Sequence, residues 1–283
     1  MPGANTRNPR AVFGVKITKS IHGPNQMRFT HAIVRPPGRN FAGALTTANL
    51  GAPDLVTAQR QHMAYCAALE KCGMKVTRLK ADHQLPDATF VEDAAIVLRT
   101  DALLTRPGAP SRRDETAAMQ PGLKPFFPVL NEILPPGTLD GGDVCEADGR
   151  FFIGISARTN LHGVRQLTQW LALRGYSALP VDIRQKPGLL HLKSGLAYLG
   201  DNRIVAVDTL AAETFLADYQ LVRVPPGEEY AANCLRINDT VLVARGFPRF
   251  ETAVRKLGYR VMTLEVSEFR KMDGGLSCLS LRW

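Results

Sequence analysis

The chain has no run of about 18 apolar residues, so no segment reads as a transmembrane helix. It also lacks a C-x-x-C pair. Its five cysteines (Cys66, Cys72, Cys145, Cys234 and Cys278) are odd in number and without framework spacing. Both observations argue against a structural zinc site or a disulfide scaffold, and for free thiols in a reducing, cytoplasmic setting. Aromatic residues are few (7%), and the net charge of +9 is scattered, with no sustained Lys/Arg block. A nucleic-acid footprint is normally clustered, so no nucleic-acid partner is expected. Acid is missing from the stretch Met1 to Gln26, where Arg7, Arg10, Lys16 and Lys19 stand among prolines and glycines. An acid-poor basic leader can be a transit peptide. Few serines and no amphipathic pattern make a disordered extension over residues 1–28, ahead of one folded domain over residues 29–283, the simpler expectation.

What is present is ordinary for a globular protein: 45% hydrophobic and 22% charged residues in 283. A strand-like run from Phe29 to Arg35 leads into a Pro/Gly-bounded stretch from Pro36 to Pro53. Loops of that length are often lids, and Leu45 would be its apolar tip. Asp54 is placed to cap a helix running to Cys72, with Gly73 past its end. Helices are also expected from Arg158 to Arg174 and from Phe250 to Leu257. Strands are expected at Ala102–Thr105, Phe151–Ile155, Ile204–Val207, Val241–Val243 and at the C-terminal apolar run.

Five segments share one pattern, polar residues at a turn followed by an apolar stretch. They begin at Ala88, Thr138, Leu190, Tyr230 and Gly275, a recurrence of roughly 40–50 residues that suits a ring or propeller array. In such a ring, equivalent positions converge on the axis. Glu92, Asp93, Asp140, His191 and Cys278 would then share one cavity, and a thiol, an imidazole and an acid together make a nucleophile, a base and its orienter. Each has a plainer reading: Cys278 as core filler, His191 as a buried histidine between leucines, Asp140 as a turn residue before Gly141 and Gly142. The adjacent Glu92 and Asp93 interrupt an apolar run, and two carboxylates in an apolar cavity want a cation, for which a guanidinium offers a planar fork of donors. Arg112 and Arg158 could hold the carboxylate of an amino acid, against the plainer reading of solvated surface arginines.

Seven blocks occur in one order along the chain: Leu85-Pro-Asp-Ala-Thr-Phe-Val-Glu-Asp93, Thr105-Arg-Pro-Gly-Ala-Pro-Ser-Arg-Arg113, Leu139-Asp-Gly-Gly-Asp143, Ile155-Ser-Ala-Arg-Thr-Asn160, Leu190-His-Leu-Lys-Ser194, Tyr230-Ala-Ala-Asn-Cys234 and Asp273-Gly-Gly-Leu-Ser-Cys278. Together they resemble the dimethylarginine dimethylaminohydrolases of the guanidino-group-modifying superfamily, and the closing segment is similar to that of the bacterial members. The resemblance implies a single-domain, five-bladed pseudo-symmetric α/β propeller (pentein). It implies hydrolysis of asymmetric dimethylarginine or monomethylarginine to citrulline and an alkylamine, with a small-molecule substrate, no cofactor, no metal and no membrane. By position, Cys278 would be the nucleophile, His191 the general acid and then base, and Asp140 its orienter. Asp93, with Glu92 beside it, would bind the guanidinium, with Phe90 and the backbone of Met272 lining its pocket. Asp87 and the backbone of Leu45 would hold the α-amine, and Arg112 and Arg158 the α-carboxylate. Arginine deiminases of the same superfamily and non-catalytic ribosome-binding rings remain the alternatives, and a homodimer is left open.

Overall fold

The structure, a computed structural model, describes residues 28–283; the basic leader over residues 1–27, expected to be disordered, lies outside the described residues. The first strand, β1 (His31–Val34), is followed by the long loop, by helix α1 (Leu55–Lys71) and by β2 (Lys75–Arg78), which pairs parallel to β1. Four further three-stranded sheets follow. The first holds β3 (Ala95–Val97), β4 (Ala102–Leu104) and β5 (Leu130–Glu132), with α2 (Asp114–Leu123) between the last two. The next holds β6 (Val144–Ala147), β7 (Arg150–Ile155) and β8 (Ser177–Asp182), with α3 (Leu161–Ala172). Then come β9 (Leu196–Gly200), β10 (Arg203–Ala206) and β11 (Gln220–Arg223) with the short α4 (Asp208–Ala211). The last holds β12 (Leu235–Ile237), β13 (Thr240–Ala244) and β14 (Arg260–Leu264) with α5 (Pro248–Lys256). After α6 (Ser267–Arg270) the chain ends in β15 (Leu281–Arg282), which pairs antiparallel with β1, Ala32 opposite Arg282.

Every sheet therefore has one plan: an inner strand, an antiparallel neighbour, and a third strand parallel to the second. In the first sheet the inner strand is β15, so the ring closes by pairing the C-terminal strand with β1. This is a five-bladed pseudo-symmetric α/β propeller in a single domain. One turn of 3-10 helix precedes each inner strand: Val91–Ala94, Gly141–Asp143, Leu192–Ser194, Glu229–Ala232 and Ser277–Leu279. These turns coincide with the five recurring segments of the sequence, the fourth starting one residue ahead of its segment, and are gathered at one end of the axis.

The local chemistry explains most boundaries. Asp54 accepts a hydrogen bond from the Thr57 N–H (2.7 Å) and starts α1. Helix α3 begins at Leu161 rather than at Arg158, because Asn160 caps it by accepting from the Gly163 N–H (2.9 Å); Arg158 is left in the preceding loop. Helix α5 starts two residues before Phe250, with Pro248 in its first turn, where a missing N–H costs nothing. Helix α2 was not expected, since Pro121 and Gly122 lie inside it. The third strands went unread for another reason: they are short and patchily buried, as in β8, where Ala178, Leu179, Pro180 and Val181 are apolar yet most side chains are exposed. Among the described residues, no helix is long and apolar enough to cross a membrane.

Candidate active site

Cys278 lies in the turn Ser277–Leu279, reached through Asp273, Gly274 and Gly275. The approach is tight: a Cβ on Gly274 would sit 2.2 Å from Cε1 of the Phe90 ring, so only glycine fits. His191 stands just ahead of the turn Leu192–Ser194, and its N–H donates to Ser194 Oγ (3.3 Å). Its Nε2 donates to Oδ2 of the wholly buried Asp140 (3.1 Å). The other oxygen of Asp140 accepts from the Gly108 N–H (2.8 Å), which fixes the carboxylate that fixes the imidazole.

These groups border one small cavity with room for about one water, roughly 20 Å³. Cys278, His191 and Asp93 line it, as do Arg112 and Arg158, with Asp87 and Leu45 at the lid side and Phe90 and Met272 completing the wall. Leu190, Asp273 and Gly274 also line it and were not singled out in the sequence. Asp140 stands behind His191. Glu92 is the departure. It does not line this cavity but turns to the other side of the ring, where its carboxylate meets Lys193 Nζ (2.6 Å) and Arg282 Nη2 (2.9 Å) and accepts from Ser277 Oγ (2.8 Å).

Arg112 is buried and held twice, by Glu115 (2.9 and 2.8 Å) and by Asp93 Oδ2 (2.7 Å). Asp93 Oδ1 accepts from the Gly142 N–H (2.8 Å). Burial works against ionising Asp93, but the Arg112 guanidinium beside it wins and holds its carboxyl well below the usual range. Burial likewise pulls His191 down, yet Asp93, Asp140 and Asp143 outweigh it and push the imidazole up to about 9. Cys278 moves the other way for its chemistry: burial first, then the nearby Glu92 and Asp93, push its thiol up to about 12. At neutral pH the empty cavity therefore holds a protonated imidazole and a neutral thiol. The donor atoms of Asp93, Asp140 and His191 lie within 4.8 Å of one another, which could suit a metal ion. Those carboxylates already serve Arg112 and His191, and a cation would have to displace both.

Arg158 differs from Arg112. Among the described residues its buried Nη1 has no hydrogen-bond partner, and it pairs with Asp140 at 3.6 Å. The lid is latched over the cavity: the Leu45 N–H donates to Asp87 (3.2 Å to each oxygen), the Thr47 hydroxyl to Asp273 Oδ2 (2.9 Å) and the Thr46 hydroxyl to the Lys271 carbonyl (2.8 Å).

Two further residues hold the turns together. Asn233 accepts from the Ser277 N–H (2.9 Å) and donates to the Lys193 carbonyl (3.0 Å), tying the cysteine turn to the histidine turn. Asp143 accepts from the Leu192 N–H (2.9 Å) and the Ser156 hydroxyl (2.6 Å), anchoring the residue next to His191. Asn233 lies in the fourth recurring segment and Asp143 in the second, so the repeat itself was the signal that could have found them.

No protein-family model matches the chain. It is 41% identical over 256 residues to the N(G),N(G)-dimethylarginine dimethylaminohydrolase of Pseudomonas aeruginosa, covering 90% of this chain and all of that one. Among solved structures it is similar to a cysteine-to-serine variant of the Pseudomonas aeruginosa dimethylarginine dimethylaminohydrolase complexed with citrulline (TM-score 0.88, 40% identity, 91% of this chain and 100% of that one). It is also similar to a histidine-to-glycine variant of dimethylarginine dimethylaminohydrolase as an adduct with S-methyl-L-thiocitrulline (TM-score 0.87, 40% identity, 90% of this chain and 100% of that one).

Proposed function

The chain belongs to the dimethylarginine dimethylaminohydrolase family, and from that premise we infer a hydrolase that converts N-ω-methylated arginines to citrulline and dimethylamine or methylamine, with Cys278 as nucleophile. The observation that carries the assignment is the single cavity in which Cys278, His191, Asp93, Asp87 and Arg158 meet. The cysteine and histidine substituted in the two related structures are separated by the same number of residues as His191 and Cys278, which supports the same pairing here.

Charge gives the order of events. A guanidinium entering beside Asp93 brings a positive charge next to a neutral thiol. A unit charge at 4 Å is worth about 4 kcal/mol at an effective dielectric of 20, about three pKa units, so the substrate itself favours the thiolate. The thiol proton leaves to solvent, and Sγ bonds to the guanidinium carbon. His191 gives its proton to the methylated nitrogen, and the C–N bond breaks, leaving a thiouronium on Cys278. The now neutral His191 takes a proton from water, whose oxygen bonds to the same carbon. The C–S bond then breaks, the hydroxyl proton passing to sulfur, and citrulline is released. Asp140 keeps the imidazole oriented throughout.

Arg158, with an unpartnered Nη1, takes the substrate α-carboxylate, with Arg112 behind it. Asp87 takes the α-amine together with the Leu45 backbone. The cavity is too small for a methylarginine while the lid is latched, so the Leu45–Asp87 and Thr47–Asp273 contacts must open first. The test is citrulline and amine release from dimethylarginine, monomethylarginine and arginine in parallel, on the wild type and on Cys278→Ser. Dimethylamine equal to citrulline from the first substrate, little from arginine, and none from the folded variant is expected. Ammonia mainly from arginine would reassign the enzyme as a deiminase, and turnover by Cys278→Ser would remove the cysteine mechanism.

A further inference from the structure

The propeller axis opens, on the face away from Cys278, into a second and much larger cavity of about 480 Å³. All five inner strands wall it, with Ile96, Val144, Leu196, Leu235 and Leu281 among the apolar contributors. A volume of this order, with apolar inner-strand side chains interleaved with charged and polar groups, is that of a small-molecule site. Its polar groups are arranged by depth. At the floor, Glu92 is matched against two cations, Lys193 and Arg282. The other donors of Arg282 serve the carbonyls of Ser277 and Ser280 and the Ser280 hydroxyl. Lys193 Nζ has three donors, and Glu92 takes one of them. The floor thus carries excess positive charge with donors to spare.

Nearer the mouth the balance reverses. Strand β6 leaves the turn Gly141–Asp143 and runs outward to Asp148, so Glu146 stands two residues, about 7 Å, beyond Val144. Other acids of this cavity have partners: Asp201 meets Arg236 (3.4 Å), Asp239 meets Arg28 (3.9 Å), and Asp148 accepts from the Tyr198 hydroxyl. Among the described residues, Glu146 has no ion-pair partner, and its Oε1 is buried without a hydrogen-bond partner. Burial, then Asp148, push its carboxyl up to about 7 against the opposing Gly149 backbone N–H. The Lys193 ammonium below and the Glu146 carboxyl group above are therefore separated by a shaft walled by the apolar side chains of the inner strands.

We propose that this shaft is a second binding site, for a small zwitterion whose ammonium and carboxylate lie at opposite ends of an apolar chain. The carboxylate meets Lys193 at the floor, the chain runs along the inner strands, and the ammonium reaches Glu146 and Asp148. The floor is also the back of the catalytic turn, since Glu92 holds the hydroxyl of Ser277 next to Cys278.

Calorimetric titration of the full-length protein tests this without reference to turnover, using 6-aminohexanoate, hexanoate and hexylamine as probes. The expected result is saturable binding of 6-aminohexanoate, at least tenfold weaker for each one-ended analogue. Binding should also fall at least tenfold in Lys193→Met and in Val97→Trp, which fills the shaft, while Arg158→Ala, in the other cavity, stays within threefold of wild type. Should Val97→Trp fail to fold by circular dichroism, Lys193→Met decides alone. No saturable heat from the zwitterion, equal binding of either one-ended probe, retention in Lys193→Met, or loss in Arg158→Ala would each overturn the site.

Discussion

Gly142→Ala puts a single methyl where the His191 imidazole, the proposed proton donor, already stands. A Cβ on Gly142 would lie 2.8 Å from both Cγ and Nδ1 of His191 and 3.0 Å from Asp93 Oδ1. Comfortable carbon contacts begin near 3.5 Å, so the overlap is about 0.7 Å or more. The backbone cannot yield easily, because the Gly142 N–H is held by Asp93 and the neighbouring Gly141 lies against the Glu92 carbonyl, 1.9 Å from where its own Cβ would be. The imidazole must therefore swing, which strains its bond to Asp140 and moves the proton donor relative to Cys278.

Overpacking of this kind costs roughly 1–3 kcal/mol of stability. Misplacing a catalytic group by about 1 Å costs on the order of a hundredfold in rate, about 2.7 kcal/mol of barrier. The assay is steady-state citrulline formation beside a thermal melt. We expect kcat to fall about a hundredfold and KM to rise by less, because Asp87 and Arg158 are untouched and Asp93 is only crowded. A folded Gly142→Ala enzyme with kcat within threefold of wild type would show that the imidazole does not need the position seen here.

Arg158→Ala should act on binding: losing a charge-assisted hydrogen bond worth about 1.5–3 kcal/mol raises KM roughly 10- to 150-fold, and a substrate lacking the α-carboxylate should no longer distinguish variant from wild type. Alkylation of Cys278 by iodoacetamide should keep accelerating up to at least pH 8 in the free enzyme, because burial and the two acids disfavour the thiolate; a plateau near pH 7 would mean a preformed ion pair. His191 also links stability to pH. Its folded pKa of about 9 lies above the unfolded 6.5, so its contribution, about 3 kcal/mol, is complete below pH 6.5 and lost as pH rises to 9. Urea midpoints at pH 6 and pH 9.5 should show that loss in the wild type and not in His191→Gln.

The recurring segments were legible because each sets polar residues against an apolar strand, and the 3-10 turns of the ring overlap them. Less legible were the features set by three dimensions. Glu92 and Asp93 read as one paired site, yet successive residues of a 3-10 turn diverge by about 120°. One side chain therefore enters the catalytic cavity and its neighbour faces the shaft. Arg112 read equally well as a surface arginine; the Glu115 fork that buries it lies one helical turn on, in a helix that Pro121 disguised. Lys193 was read only as part of a block, since nothing in the sequence says that its partner lies two blades away.

The C-terminal segment draws these threads into one dependence of chemistry on fold. Strand β15 completes the first blade by pairing with β1, and its Arg282 anchors Glu92, which fixes Ser277 beside Cys278. The same short segment therefore closes the ring, carries Cys278, the proposed nucleophile, and holds the wall between the two cavities. On the proposed mechanism, a perturbation that loosens β15 from β1 without unfolding the other four blades would leave Asp87, Asp93 and Arg158 in place for substrate, yet remove the support of the Cys278 sulfur. Loss of turnover at the C-terminal strand should thus precede loss of the fold.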